Sequence, residues 1–276
     1  MTGLPYRIAN SGLLQPLDAH DLDRDPRGIV WIWEEPHPGS VYCVGVDPSV
    51  GITSWDRTLR TQDDSKTDNG AIELIRVGRD RDYQVAEYAA PIDPEDLADV
   101  ANALGRLYGG TDEEGQALCI IEVYPGPGLL TQRRLMNQFG YLNQFVWKYI
   151  DAAVPRPTGS YGWVASSKSV PLLWARTARH ILKGGLRIRS PWLVEEMADA
   201  EIDPQKMWAK AIRGRHDDRL RAMMLAVWAA HEWSLDIESE KTEVNTNASA
   251  PEWQASDISA DKMMEAWEER WAELSE

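Results

Sequence analysis

The chain opens with short apolar blocks broken by turn residues and later changes to apolar positions at helical spacing. Val41-Tyr42-Cys43-Val44-Gly45-Val46 is an apolar run that ends on Asp47, and Pro48 cannot donate to a central ladder, so the pattern predicts a strand over 41–47. Further strands are predicted over 70–77 and 83–89, joined by a turn at 78–82, and a short leading strand over 28–33. Together these make an antiparallel meander whose first connection, 52–69, is unusually long. Asp93-Pro94-Glu95-Asp96 starts a helix: an N-cap, a proline at the first helical position, then acids in the first turn. Leu97, Val100, Ala101, Leu104 and Leu107 continue it at helical spacing until Gly109-Gly110.

After that helix, Ala117-Leu118-Cys119-Ile120-Ile121-Glu122 is another nearly unbroken apolar run ending on an acid. Its composition predicts a central strand parallel to the first. A helix is predicted from about residue 129, an edge-type strand over 144–150, helices over 168–183 and 191–200, a brief strand over 207–212, and a long helix over 216–233. Residues 1–27 are polar and proline-interrupted and are predicted to be an irregular arm or linker. Residues 236–257 are acidic and rich in Asn, Ser and Thr, which predicts disorder. Met263, Met264, Trp267, Trp271 and Leu274 share one face of a predicted terminal helix. The resulting division is an arm at 1–27, a domain at 28–234 and an acidic tail with an amphipathic helix at 235–276.

Composition narrows the function classes. The 276 residues, 43% hydrophobic and 26% charged, suit one sizeable α/β domain with appendages. No apolar run approaches the roughly 18–20 residues of a membrane span, so no membrane partner is expected. Cys43 and Cys119 both fall inside predicted buried strands and read as small core hydrophobes rather than as a disulfide. Net charge is −15, but residues 235–276 carry 12 acids against 3 bases, which leaves −6 for the rest. Between Arg176 and Arg221 there are 11 Lys/Arg against 7 Asp/Glu, so a locally basic face is compatible with the acidic total. Arg133, Arg134, Arg176, Arg179, Lys183, Arg187 and Arg189 are candidate phosphate contacts.

Acids at the ends or starts of three separated elements carry the chemistry: Asp47, Glu122, and Asp217-Asp218 opening the last helix. An in-line attack on a phosphodiester gathers negative charge on the attacking and leaving oxygens, which a pair of divalent cations offsets. Hard carboxylate oxygens select Mg²⁺ or Mn²⁺. Carboxylates brought this close repel one another, which raises their proton affinity until metal arrives. Asp217 and Asp218 also suit the first turn of an ordinary helix, and His216 reads first as a supporting residue.

The ordered motifs go further. Pro36-His37-Pro38-Gly39 before the strand ending Val46-Asp47-Pro48-Ser49-Val50-Gly51, then Asp68-Asn69-Gly70-Ala71-Ile72, Val85-Ala86-Glu87-Tyr88, Ile120-Ile121-Glu122, Tyr161-Gly162-Trp163 with Lys168 and Pro171, and Gly214-Arg215-His216-Asp217-Asp218 together resemble the nuclease domain of tailed-phage terminase large subunits. The resemblance covers about residues 28–234. It implies an RNase H-like mixed sheet, three antiparallel strands followed by parallel ones and flanked by helices, and a two-metal-ion endodeoxyribonuclease acting on double-stranded DNA during genome packaging. It makes Asp47, Glu122 and one or both of Asp217 and Asp218 ligands of two Mg²⁺ or Mn²⁺ ions. Asp68, or one of Asp56, Asp63 and Asp64 in the long loop, becomes the auxiliary acid, and Lys168 a helper facing the DNA backbone or the acids. Val123-Tyr124-Pro125-Gly126 departs from the family, which often has Asn there.

The implied partners are a terminase ATPase domain or subunit, the small terminase subunit and the portal, and the implied location is the host cytoplasm at the procapsid portal. No Gly-x-x-x-x-Gly-Lys-Ser/Thr stands in the sequence, so the chain is expected to be the nuclease part alone. The rival readings are another RNase H-like nuclease, such as a Holliday-junction resolvase, and a non-catalytic DNA or portal adaptor.

Overall fold

The structure is a computed structural model that describes residues 3–9, 13–18, 28–49, 68–109, 115–124, 126–150, 157–203, 208–211 and 216–242. The alternative auxiliary acids Asp56, Asp63 and Asp64, the acidic tail beyond residue 242 and the Met/Trp face at 263–274 lie outside the described residues.

Strands β1 (Leu4–Ile8), β2 (Leu14–Pro16) and β3 (Val30–Ile32) precede β4 (Val41–Asp47), β5 (Gly70–Val77) and β6 (Asp82–Ala90). Helix α1 (Pro94–Leu107) leads to β7 (Leu118–Tyr124), α2 (Gly128–Phe139), β8 (Val146–Ile150), β9 (Pro157–Tyr161) and β10 (Trp163–Val164). Then come α3 (Ser169–Leu182), β11 (Leu186–Arg187), α4 (Pro191–Ala198), β12 (Ala200–Asp203), β13 (Trp208–Ala211) and α5 (Asp218–Thr242). The main sheet runs β10-β7-β4-β5-β6-β3-β1-β2, with β11 added beside β6. β4, β5 and β6 form the expected antiparallel meander, and β7 joins β4 in parallel. This is a mixed α/β sheet of the RNase H-like type, with helices on both faces.

Local sequence explains the centre. β4 and β7 are apolar at nearly every position because both their faces are covered. One face packs Tyr42, Val44, Val46, Ile72 and Ile121 against Leu97, Leu104 of α1 and Leu135 of α2. The other packs Cys43, Ile75 and Ile120 against Leu173 of α3, Leu193 of α4 and a run from Leu220 to Ala230 of α5. Asp93 caps α1 as expected, its Oδ1 accepting from the Glu95 N–H at 2.8 Å. The two cysteines are free and buried on opposite faces.

Three expectations need correction. Residues 1–27 are not wholly irregular: Leu4–Ile8 pairs with both β2 and β3 and extends the main sheet. Pro5 sits in this strand near the sheet's edge, where a missing donor is tolerated. The segment at 144–150 joins the main sheet at its start, where Gln144 bridges Cys119 of β7 in parallel; β8 then pairs with β9 in a separate hairpin, and β10 takes the edge beside β7. The last helix continues to Thr242, nine residues beyond the expected end, because its polar, acidic continuation still contains good helix formers. None of the helices among the described residues is long and apolar enough to cross a membrane.

Helix α5 approaches the backbone of β4 closely at Gly45. A Cβ on Gly45 would overlap the Ala222 carbonyl oxygen and come within 2.6 Å of the Ala226 nitrogen. Both obstacles are helix backbone, which cannot rotate away. Gly45→Ala is therefore expected to cost at least about 3 kcal/mol, read as a fall in the urea midpoint; a loss within about 0.5 kcal/mol would show that α5 does not rest there.

Candidate metal centre

The site is built by three neighbouring elements. Val46 and Ile121 are register partners in the parallel pair β4–β7, so Asp47 and Glu122 follow side by side at the open ends of these strands. Both side chains project toward α5, since Cys43 and Ile120, an even number of positions earlier, pack on that face. Chain reversal after Glu122 requires Gly128: a Cβ there would overlap the Glu122 carbonyl oxygen. Helix α5 then begins against β4 and brings Asp217 and Asp218 to the same end of the sheet.

The electrostatics follow from this convergence. Burial raises the proton affinity of Asp47 well above the carboxylate norm; the charges of Glu122, Asp218 and Asp217 raise it further, and Arg221 opposes them. Glu122 is raised by burial, with Arg221 lowering and Asp217 raising it. Asp218 is raised by burial as well, against the hydrogen bond it accepts from the Asn69 N–H (2.9 Å) and the nearby His216. Glu122 Oε2 is buried and has no hydrogen-bond partner among the described residues. Its one counter-charge there is Arg221, whose Nε is 3.8 Å away.

Beside this pair is a second grouping. Ligand atoms of Asp68, His216 and Asp218 all lie within 4.8 Å of one another. Asp68 is exposed and immediately precedes Asn69, which tethers the start of β5 to Asp218; Ser49 Oγ donates to the Asp68 carbonyl at 3.0 Å. His216 Nδ1 is 3.4 Å from Asp218 Oδ2, which puts the imidazole inside the grouping rather than behind it. Asp217 sits between the two groups electrostatically, raising Asp47, Glu122 and Asp218 alike. Oxygen-rich donors, one imidazole and an orphaned buried carboxylate oxygen fit a hard divalent cation.

Lys168 caps the start of α3 and is exposed, its backbone N–H donating to Ser166 Oγ; no described acid lies within ion-pair distance of its ammonium. Several expected phosphate contacts have other employment. Arg134 grips Asp99 through two hydrogen bonds, 2.8 and 3.1 Å. Arg189 binds Glu34 and the Trp33 carbonyl, and Arg176 pairs with Glu232 while stacking on Trp228 at 3.5 Å. Arg133, Lys183 and Arg187 remain exposed.

Two features were not anticipated. Arg221 enters the Asp47–Glu122 pair; its place four residues after Asp217 reads in sequence as an ordinary helix-surface pair. Glu73 and Glu87 are cross-strand partners that are fully buried beneath α5, although strand alternation alone places polar residues outward. Arg219 reaches them, its Nε 3.2 Å from Glu87 Oε1 and its Nη1 donating to Glu196 Oε1 at 2.8 Å. Glu196 Oε2 in turn accepts the Leu220 N–H. This buried network fixes the first turn of α5, and so the height of Asp218 above the sheet.

No protein-family model matches the chain, and no curated protein matches its sequence. Solved structures do resemble it. The large terminase nuclease from thermophilic phage G20c, solved with bound cobalt, matches with a TM-score of 0.51 at 14% identity, over 74% of this chain and 89% of that one. This chain has the fold of a terminase large-subunit nuclease domain. The magnesium-bound form of the same phage nuclease gives a TM-score of 0.50, also at 14% identity and with the same shares covered.

Two outcomes are expected. A carboxyl whose folded pKa exceeds its unfolded value stabilises the fold fully below about pH 4, and that contribution is lost as pH rises toward the folded value. Metal-free protein should therefore lose stability as pH rises above about 5, by up to about 1.4 kcal/mol per pH unit for each such proton. Asp47→Asn should flatten that slope and raise the melting temperature at pH 8 in chelator; an unchanged slope would mean that Asp47 is not strained by its neighbours. Separately, Arg219→Met strands buried carboxylates and should cost about 3–5 kcal/mol in urea denaturation, with partial recovery in Arg219→Met/Glu87→Gln.

Proposed function

We propose that this protein is a divalent-metal-dependent endonuclease that cuts double-stranded DNA during phage genome packaging, the nuclease of a terminase large subunit. The carrying observation is the convergence of Asp47, Glu122, Asp217 and Asp218 from two adjacent parallel strands and the start of one helix, where burial, and secondarily their mutual repulsion, raises the proton affinity of three of them.

Asp47 and Glu122 would hold one cation, and Asp68, His216 and Asp218 a second, with Asp217 between them. Bound there, Mg²⁺ or Mn²⁺ ions supply charge for the in-line transition state and activate water for attack on phosphorus. The chain's own residues prepare that chemistry. β4 and β7 hold the two strand-end acids on rigid backbone, the Asn69 N–H orients Asp218, and the buried Arg219 network keeps the start of α5 from shifting. Lys168, exposed at the start of α3 just after β10, is the candidate to meet a phosphate, whereas Lys183 and Arg187 stand at the other end of the sheet, where β11 pairs with the start of β6. Partners such as an ATPase domain or subunit, the small terminase subunit and the portal, at the procapsid in the host cytoplasm, belong to the same reading.

Supercoiled plasmid incubated with Mn²⁺ provides the test. Wild type should give nicked and linear products, and Asp47→Ala or Glu122→Ala should slow this at least about 100-fold, more than the loss of a mere supporting residue. Undiminished cutting by Asp47→Ala would place the chemistry elsewhere. Strong preference for four-way junctions over linear duplex would favour a junction resolvase, and DNA binding without cleavage would favour an adaptor.

A further inference from the structure

We propose that Arg221 is a built-in competitor for the cation position between Asp47 and Glu122, so that the centre takes up metal only by displacing a guanidinium. The proposal rests on the metal-centre reading above and adds a control on how readily that centre loads.

The geometry sets Arg221 apart from the other arginines of the fold. Arg134 and Arg219 are seated by hydrogen bonds of 2.8 Å to their acids. Arg221 stands 3.8 Å from Glu122 Oε2, too far for a hydrogen bond, and both Glu122 Oε2 and Arg221 Nη1 are buried without a hydrogen-bond partner among the described residues. The guanidinium is thus drawn to the acid pair by charge and is not locked to it. Its backbone N–H donates to the Asp217 carbonyl at 2.8 Å, which anchors the residue in the first turn of α5 directly beside the candidate ligands. Its side chain keeps 24% of its exposure, leaving it a path out toward solvent.

Its charge is felt by both acids, opposing the elevation of Asp47 and of Glu122. A fixed +1 charge at that position does part of a cation's work in the metal-free protein. The same charge repels an incoming +2 ion across a poorly screened distance. Removing it should leave the ligands intact and make them more attractive to metal.

Mn²⁺ titrated calorimetrically into the full chain at pH 8 and fixed ionic strength tests this directly. Arg221→Gln should bind Mn²⁺ about tenfold more tightly than wild type, whereas Arg221→Lys, which keeps the charge, should stay within about threefold of it. Arg221→Met fills the same space without charge and should behave like Arg221→Gln, which covers the case in which the glutamine variant melts too low to titrate. Binding by the uncharged variants that is equal to or weaker than wild type, with Asp47→Ala still abolishing the site, overturns the competitor role and leaves the centre standing. If Asp47→Ala binds Mn²⁺ as wild type does, the acid pair is not the metal site and the proposal falls with it.

Discussion

The first turns of α5 rest directly on β4 at Gly45, backbone against strand, and the rest of the site depends on that contact. A larger residue at 45 would lift the helix, and with it Asp217, Asp218, Arg219 and Arg221, away from the strand ends. Because α5 is seated so low, its opening turn reaches across the sheet in two directions. Arg221 meets Asp47 and Glu122 at the β4–β7 side, and Arg219 meets Glu73 and Glu87 at the β5–β6 side. One helix therefore organises two buried acidic groups with opposite requirements.

The contrast between those groups explains how the fold tolerates so much buried negative charge. Around Arg219 the guanidinium is seated: it donates to Glu196 at 2.8 Å and stands 3.2 Å from Glu87, and Gln84 donates to Glu73 at 2.7 Å, while Glu73 Oε1 and both Glu87 carboxylate oxygens have no hydrogen-bond partner among the described residues. Glu73 is pushed well up by burial and further by Glu87. Around Arg221 the guanidinium is not seated: it stands 3.8 Å from Glu122 Oε2 without a hydrogen bond. An arginine hydrogen-bonded to its acids holds them in place; one drawn by charge alone leaves them available to an ion.

Much of this was legible in the sequence, for local reasons. The bounds of β4 and β5 follow from apolar runs ended by Asp47-Pro48 and begun at Gly70, and α1 from its Asp93 cap. The parallel placement of β7 follows from its lack of polar positions. Other features depend on pairing between distant segments and leave little local trace. β10 is two residues long and is recognisable only by its partner β7, and β1 is masked by Pro5. His216 and Asp68 meet across 148 positions of chain, which no spacing rule anticipates. Glu73 and Glu87 occupy positions where alternation suggests solvent, and only the covering helix makes them interior. Arg221 was overlooked because its neighbour in sequence, Asp217, offers a simpler partner.

The central claim is that these acids form one cation-binding centre, and anomalous diffraction from a crystal soaked in Mn²⁺ tests it most directly. Strong peaks are expected within coordination distance of the Asp47 and Glu122 carboxylates and beside Asp218, each roughly 2–2.5 Å from its oxygen ligands. Peaks confined to other surface acids, or an ordered map with no density between Asp47 and Glu122, would contradict it.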